Sequence, residues 1–388
     1  MSRKNSPRTN LVAAGRMKSD QPHVVPVPPE RASTVLFPTY DQFTAKTRPF
    51  FYGRFGTSTH RAFEQAVMGL ENAEHILLAP SGLAAVNFAL LSFALPGSHI
   101  LVTDSAYDPV RYFCDGYLAR RGVEITYYDP RLGGHIEKLC RENTAAILAE
   151  SPGSLTFEVQ DIPAMANIAR ARNIPLLVDN SWGSGLLYRP LDLGADISII
   201  AATKYIAGHA DVLIGTIATN DAQIAQKINT NMRLIGNNVS ADDVYLAHRG
   251  LRSLAARLDV HGANGLKLAK WLERRPEISC VIHPALPSHP DHALWQRDFS
   301  GTCGLFGAIF KTEKVEKIRA FFDALAHFGM GYSWGGFESL AIPVWPQKYR
   351  TAVPWEEAGQ AVRFHAGLED VEDLIADLEA AFAAMAEM

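Results

Sequence analysis

A chain of 388 residues with 47% apolar content can bury a large core and has room for one or two domains beyond a terminal extension. Its 37 basic and 41 acidic residues are mixed along the chain and leave a formal charge of −4, so no basic footprint points to nucleic acid. The four cysteines, Cys114, Cys140, Cys280 and Cys303, form no CxxC pair and read as the reduced thiols of a cytoplasmic protein. The longest apolar run, 76–95, is broken by Pro80-Ser81-Gly82 into pieces too short to span a bilayer, and no secretory leader is legible.

Residues 1 to about 30 are polar and proline-rich and predict a flexible arm. The stretch F-F-Y-G-R-F-G-T-S-T-H follows, carrying Tyr52 and Arg54; it is either a surface loop or an arm wrapping a neighbouring subunit. Thr57, Ser58 and Thr59 are acceptable caps for a helix predicted over about 61–70. Strands are then predicted at 75–78, 100–103, 123–128, 145–150, 176–178 and 197–201, with helices at 83–95 and 161–172. This alternation predicts an α/β fold, a mostly parallel sheet with helices on both faces. Ligands of such sheets sit at the carboxyl ends of the strands, and Ser81, Tyr107, Ser154, Asp179 and Lys204 all fall at or just past such ends. After about residue 250 a long helical pattern, later strand-like segments and a closing helix over 371–388 predict a smaller α+β domain. The expected division is an arm over 1–56, a large domain over 57–251 and a C-terminal domain over 252–388.

Lys204 is the centre of this reading. It ends the apolar run Ile197 to Ala201 and precedes a glycine-containing loop and a second apolar run. Such a lysine either snorkels to water or is partly desolvated, and desolvation lowers its amine pKa in a way that suits covalent chemistry with a carbonyl. Ser81-Gly82-Leu83 opens a helix, where backbone N–H groups can bind a phosphate, although the same triplet is also an ordinary cap. Asp179 ends a strand where an unpaired carboxylate is costly; it is a salt-bridged or capping residue, or the partner of a protonated pyridine nitrogen. Tyr107 can stack on a planar ring or be a core tyrosine. Lysine, carboxylate, phosphate cradle and stacking ring together are the needs of one cofactor, pyridoxal 5'-phosphate. His283, His289 and His292 offer a metal alternative, but the intervening prolines give no helical presentation, and no metal is expected.

At these residues the chain resembles the Cys/Met-metabolism family of pyridoxal-phosphate enzymes, from about Thr34 to the C-terminus. The shared motifs are Y-G-R at Tyr52–Arg54, V-D-N-S-W at Val178–Trp182, A-A-T-K-Y-I-A-G-H-A-D at Ala201–Asp211, R-D-F-S-G at Arg297–Gly301, S-W-G-G-F-E-S-L at Ser333–Leu340 and V-R-F-H-A-G-L-E-D at Val362–Asp370. The resemblance implies an aspartate-aminotransferase-type fold and a homotetramer of two active dimers, working on a small amino-acid substrate away from membranes and nucleic acid. It implies that Lys204 carries the cofactor through its amine and acts as general base, Asp179 pairs with the pyridine nitrogen, and Tyr107 stacks on the ring. Ser81, Gly82, Leu83 and Thr203 would bind the phosphate, with Tyr52 and Arg54 reaching in from the neighbouring subunit. Arg363 would grip the substrate carboxylate, with Ser339 beside the lysine and Trp334 on the substrate side. The implied reaction is β-elimination of L-cystathionine to homocysteine, pyruvate and ammonia, a step of methionine biosynthesis. The alternatives are β-elimination from cystine or cysteine S-conjugates and, further off, a γ-acting relative. Phe55 stands where relatives often place a second arginine, Tyr112 near where they place an acid, and Phe337 where a tyrosine is common. A charged distal carboxylate still needs a cation, and Arg111, four residues past Tyr107, is the candidate; its alternative is a solvated loop arginine.

Overall fold

The computed structural model describes residues 5–16, 20–45 and 50–388. Its first sheet has seven strands: β1 (His75–Ala79), β2 (His99–Thr103), β3 (Glu124–Tyr128), β4 (Thr144–Glu150), β5 (Leu176–Asp179), β6 (Ile197–Ile200) and β7 (Gly215–Thr219), in the order β1-β7-β6-β5-β4-β2-β3. Strands β3, β2, β4, β5 and β6 pair in parallel, and β7 runs against both β6 and β1. The predicted mostly parallel sheet is therefore present, with one reversed strand. That strand is the second apolar run after Lys204; a short apolar run cannot reveal its direction.

The central strands are mostly apolar because both faces are covered. Leu101, Ile147, Leu176 and Val178 point into a core with Phe63, Val67 and Leu70 of the helix Ser58–Glu71. Their neighbours Ile100, Val102, Leu148 and Leu177 point the other way, onto Ala85, Val86, Ala89 and Leu90 of the helix Gly82–Leu91. Alternate residues on opposite faces are what the period of a strand requires, and a two-sided sheet makes both sets apolar.

The second sheet has four antiparallel strands, β8 (Ile278–Ile282), β9 (Leu305–Phe310), β10 (Leu340–Val344) and β11 (Gln360–His365), in the order β10-β11-β9-β8. Phe306 and Phe310 of β9 face Phe321, Phe364 and Phe382 in a separate aromatic core. Leu305 and Ile309 of the same strand face the core of the first sheet. One strand thus seals two layers, and the long helix Leu254–Leu272 lies between them, with Leu254 and Leu258 in the first core and Leu268 and Leu272 in the other.

The N-terminal stretch departs from its expectation. Residues 7–13 form a helix capped by the Ser6 side chain, and Leu11 is buried at 3% exposure in the main core. Val27 is buried as well. Proline-rich composition hid these two anchors; residues 1–4, 17–19 and 46–49 of the expected arm over 1–56 lie outside the described residues. Element edges also shift: the helix after Ser81 stops at Leu91, and the helix predicted from about 61 starts at Ser58, where the Thr57 N–H donates to His60 Nδ1 at 3.1 Å. Among the described residues no helix is long and apolar enough to cross a membrane.

Gly215 opens β7 where the chain passes the start of the helix Gly82–Leu91. A Cβ there would lie 2.3 Å from the Ser81 carbonyl oxygen and 2.9 Å from the Ala85 Cβ. Gly215→Ala should cost about 1–3 kcal/mol through overpacking. The check is the thermal midpoint followed by circular dichroism, which should fall by several degrees; an unchanged midpoint would show that the two elements can part freely.

Candidate active site

The carboxyl ends of the parallel strands converge on a cleft of about 220 Å³, lined by Ser81, Gly82, Leu83, Tyr107, Glu150, Asp179, Thr203, Lys204, Trp334 and Arg363, among others. Each strand delivers its residue by ending there. Glu150 closes β4 and Asp179 closes β5, directly opposite each other in the register. Ser181 ties the ends of β5 and β6 together: its N–H donates to Asp179 Oδ1 at 2.9 Å and its Oγ accepts from the Ala201 N–H at 2.8 Å. Just past β6, Thr203 closes the loop that carries Lys204. The Thr203 N–H and Oγ1 both donate to the Ile214 carbonyl, at 3.0 and 3.1 Å, and Oγ1 accepts from the Ile214 N–H at 2.9 Å.

The Lys204 amine lies at the bottom of this cleft, its Nζ donating to Ser333 Oγ at 2.6 Å and sitting 5.1 Å from the centre of the Trp334 ring. Burial lowers its pKa to about 8; the Arg363 guanidinium adds to the effect and the Asp179 carboxylate opposes it. Burial also raises the pKa of Asp179, against hydrogen bonds from Ser181 and the charge of Lys204. Glu150 is pushed well above the usual carboxylate range by burial and by Asp179, while its Oε2 accepts from the Tyr107 N–H at 2.7 Å. Tyr107 stands half-exposed over the cleft, its hydroxyl pKa raised by burial and by Glu150.

Arg363 comes from β11 of the second sheet. Its Nη2 donates to the Ser333 carbonyl at 2.8 Å, and burial lowers its pKa to about 10. Ser333 therefore bridges the lysine and the arginine, through its side chain and its main chain respectively. It does so at φ 83°, a left-handed conformation that is costly for a serine. Ser339, expected beside the lysine, is elsewhere: it is fully buried, its Oγ donating to Glu369 and accepting from the Gly367 N–H, both at 2.8 Å. The motif S-W-G-G-F-E-S-L holds two serines, and the structure brings the first of them to Lys204.

A phosphate cradle is present at the start of the helix Gly82–Leu91. Ser81 Oγ caps it by accepting from the Ala84 N–H at 3.1 Å, so the ordinary capping role is real. The N–H groups of Gly82 and Leu83 make no hydrogen bond among the described residues and line the cleft. A Cβ on Gly82 would lie 2.4 Å from the Ala201 Cβ, so glycine here admits the neighbouring strand end. Free N–H donors, a cleft-lining carboxylate and a desolvated lysine fit the phosphate, ring nitrogen and aldehyde of pyridoxal phosphate respectively.

Other expected residues lie apart. Tyr52 and Arg54 do not line this cleft. Arg54 donates to the Arg233 carbonyl at 3.1 Å and borders a different cleft with Phe55, His60 and Arg233. Arg111 is neither a distal anchor nor a solvated loop residue. It is 5% exposed, paired with Asp104 at 2.9 Å, and stacked 3.6 Å from the centre of the Tyr127 ring. The buried Asp104 carboxylate claims it, and only distant residues reveal that demand. His283, His289 and His292 use ring nitrogens within their own loop, on Ala285, Asp291 and Pro284. Glu150 and Ser333 escaped the sequence reading. Glu150 could have been found by the rule that found Asp179, since it too ends a parallel strand.

Fold and cleft together define a lysine-centred α/β enzyme built to hold a phosphorylated planar cofactor. A sequence model of the Cys/Met metabolism PLP-dependent enzymes matches residues 8–383, and the chain belongs to that family. It is 41% identical over 388 residues to the cystathionine beta-lyase MetC of Escherichia coli, covering 97% of this chain and 98% of the relative. It is 38% identical over 389 residues to an L-alanine/L-glutamate racemase of Wolbachia pipientis, covering 96% of each. The crystal structure of metB from Corynebacterium glutamicum superposes with a TM-score of 0.90 at 31% identity, covering 98% of each chain. The enzyme is therefore pyridoxal-phosphate dependent.

A lowered lysine pKa has a measurable sign. In cofactor-free protein Lys204 should be neutral above about pH 8, so its labelling by an amine-directed reagent should reach half its maximum near that pH. Removing Arg363 takes away a repelling charge, so Arg363→Met should move the midpoint upward. Peptide-resolved labelling across pH checks both; a downward shift in the variant would contradict the electrostatic assignment.

Proposed function

We propose that this enzyme catalyses β-elimination of L-cystathionine, releasing homocysteine, pyruvate and ammonia. The observation that carries the reading is the Ser333 bridge. It holds Lys204 and Arg363 on one residue, so an amino acid whose carboxylate pairs with Arg363 presents its Cα to the lysine amine.

Bound pyridoxal phosphate supplies an electron sink for the pair left when the Cα proton departs. The residues of this chain do the rest. Gly82 and Leu83, with Ser81 and Thr203, would hold the phosphate at the helix start; Asp179 would pair with the ring nitrogen, and Tyr107 would lie against the ring. Lys204, readily neutral because it is desolvated, takes the Cα proton and then stands as an ammonium able to hand a proton to the departing sulfur. The C–S bond breaks with its electron pair going to sulfur, homocysteine leaves, and water hydrolyses the remaining three-carbon fragment to pyruvate and ammonia. Trp334, stacked near Lys204, closes the substrate side.

Racemisation begins with the same proton removal, so the base alone does not select the reaction. What favours elimination is space: a second cleft of about 250 Å³ adjoins the first, sharing Tyr107, Ser154, Tyr332 and Arg363 with it. A Cβ substituent as long as that of cystathionine needs such room; the inversion of alanine needs none of it, and that of glutamate needs less. The same space accommodates the cystine and S-conjugate alternatives.

Tyr52 and Arg54 are proposed to complete the phosphate site of a neighbouring subunit in a cytoplasmic homotetramer of two active dimers. Their placement outside the cleft of their own chain supports this. The division at 251/252 is proposed on the same footing, since the two sheets fall on either side of it.

Two outcomes are expected. Wild-type protein should release pyruvate from L-cystathionine, and Lys204→Ala should retain the cofactor non-covalently while losing turnover; near-normal turnover in that variant would remove the base from the mechanism. Separately, inactive Lys204→Ala and Arg54→Ala proteins mixed under subunit exchange should recover activity, because one site of the hybrid has both residues. Exchange demonstrated by mass spectrometry with no recovery would count against a shared site.

A further inference from the structure

Asp104 follows β2 directly and its side chain has no exposure at all. Its carboxylate is crowded with donors from one remote segment. Oδ1 accepts from the Thr351 N–H at 2.9 Å, and Oδ2 from the N–H groups of Ala352 and Val353 at 3.1 and 2.9 Å. Arg350 Nε lies 3.4 Å from Oδ2, and Arg111 Nη1 2.9 Å from Oδ1. Arg350 also pairs with Glu158, and Arg111 Nη2 donates to Thr351 Oγ1 at 2.8 Å. Burial by itself would raise the pKa of Asp104, but these N–H groups and Arg111 outweigh it and keep the carboxylate below its usual range.

All the backbone donors come from the connection between β10 and β11 in the second sheet, while Asp104 belongs to the first. That connection supplies Trp345, Pro346, Tyr349 and Arg350 to the wall of the outer cleft. The cleft therefore owes its present shape to one carboxylate that binds the carboxyl end of β2 in one sheet to a loop of the other. Of the cations in its wall, Arg350 is engaged on two carboxylates, while Arg363 uses one guanidinium nitrogen on the Ser333 carbonyl and keeps its other donors for the substrate.

We propose that Asp104 is a positioning residue that sets substrate length: by fixing residues 350–353 it builds the far wall of the cleft that receives the S-substituent of a long thioether. The inference rests on the β-elimination reading above. A long substrate such as L-cystathionine must use the outer cleft, whereas S-methyl-L-cysteine fits within the inner one. Asp104 borders the outer cleft, but its side chain is fully buried, so it acts on the substrate through the loop.

The test is Asp104→Asn in the cofactor-loaded enzyme, with Arg350→Lys as a milder second variant that keeps the charge and loses the fork. The kcat/KM for L-cystathionine should fall about tenfold or more, chiefly through KM, while that for S-methyl-L-cysteine stays within about threefold of wild type. Amide hydrogen exchange at Thr351, Ala352 and Val353 should rise in Asp104→Asn, a readout independent of turnover. Equal losses on long and short substrates, or unchanged exchange at these three amides, would overturn the proposal. Wild-type protein that releases pyruvate from neither substrate would instead overturn the elimination reading, and the exchange measurement would still judge the latch.

Discussion

An amine kept out of water beside a guanidinium is the constraint to which the rest of the structure answers. Lys204 and Arg363 repel each other, and both are less basic than they would be in solvent. Nothing local would hold two cations in one cleft. They are held because each ends or lines a strand of a different sheet, and because Ser333 accepts from both. Asp179 and Glu150 lie on adjacent strand ends, where burial raises the pKa of both carboxyls and the Asp179 charge raises that of Glu150 further. The lysine, the arginine and the two acids meet in one cleft only because both sheets contribute.

That dependence explains why the two sheets share a core. β9 turns Leu305 and Ile309 toward the first sheet and its phenylalanines toward the second, so that neither layer can shift without exposing apolar surface. Catalytic geometry within a few tenths of an ångström needs such a rigid joint, because a small misplacement of a reacting group is expensive. The hydrogen bonds of Asp104 add a polar fastening at the rim of the same joint, where solvent would otherwise loosen it.

Much of this was legible in the sequence. Strand–helix alternation announces the parallel sheet, and the strand-end rule gathers Lys204, Asp179 and Tyr107 at one end of it. What stayed hidden has physical reasons. Strand direction is invisible in a short apolar run, so β7 was not seen to reverse. Arg111 was misread because charge alone does not say which acid will claim it, and Asp104 meets it only after the chain has folded. The exchange of Ser339 for Ser333 arose inside one motif with two serines, where only the loop's left-handed turn decides which hydroxyl meets the lysine. Leu11 and Val27 show that a proline-rich terminus can still be anchored by single apolar residues.

The short closure between Thr203 and Ile214 carries a consequence of its own. Three hydrogen bonds fasten the two ends of the Lys204 loop at its base, independently of anything the lysine amine contacts. The side chain can therefore change partners while its Cα stays in place. Flexibility is confined to four methylene groups. The ordering of the backbone is completed once, at folding, and need not be repeated when the side chain moves.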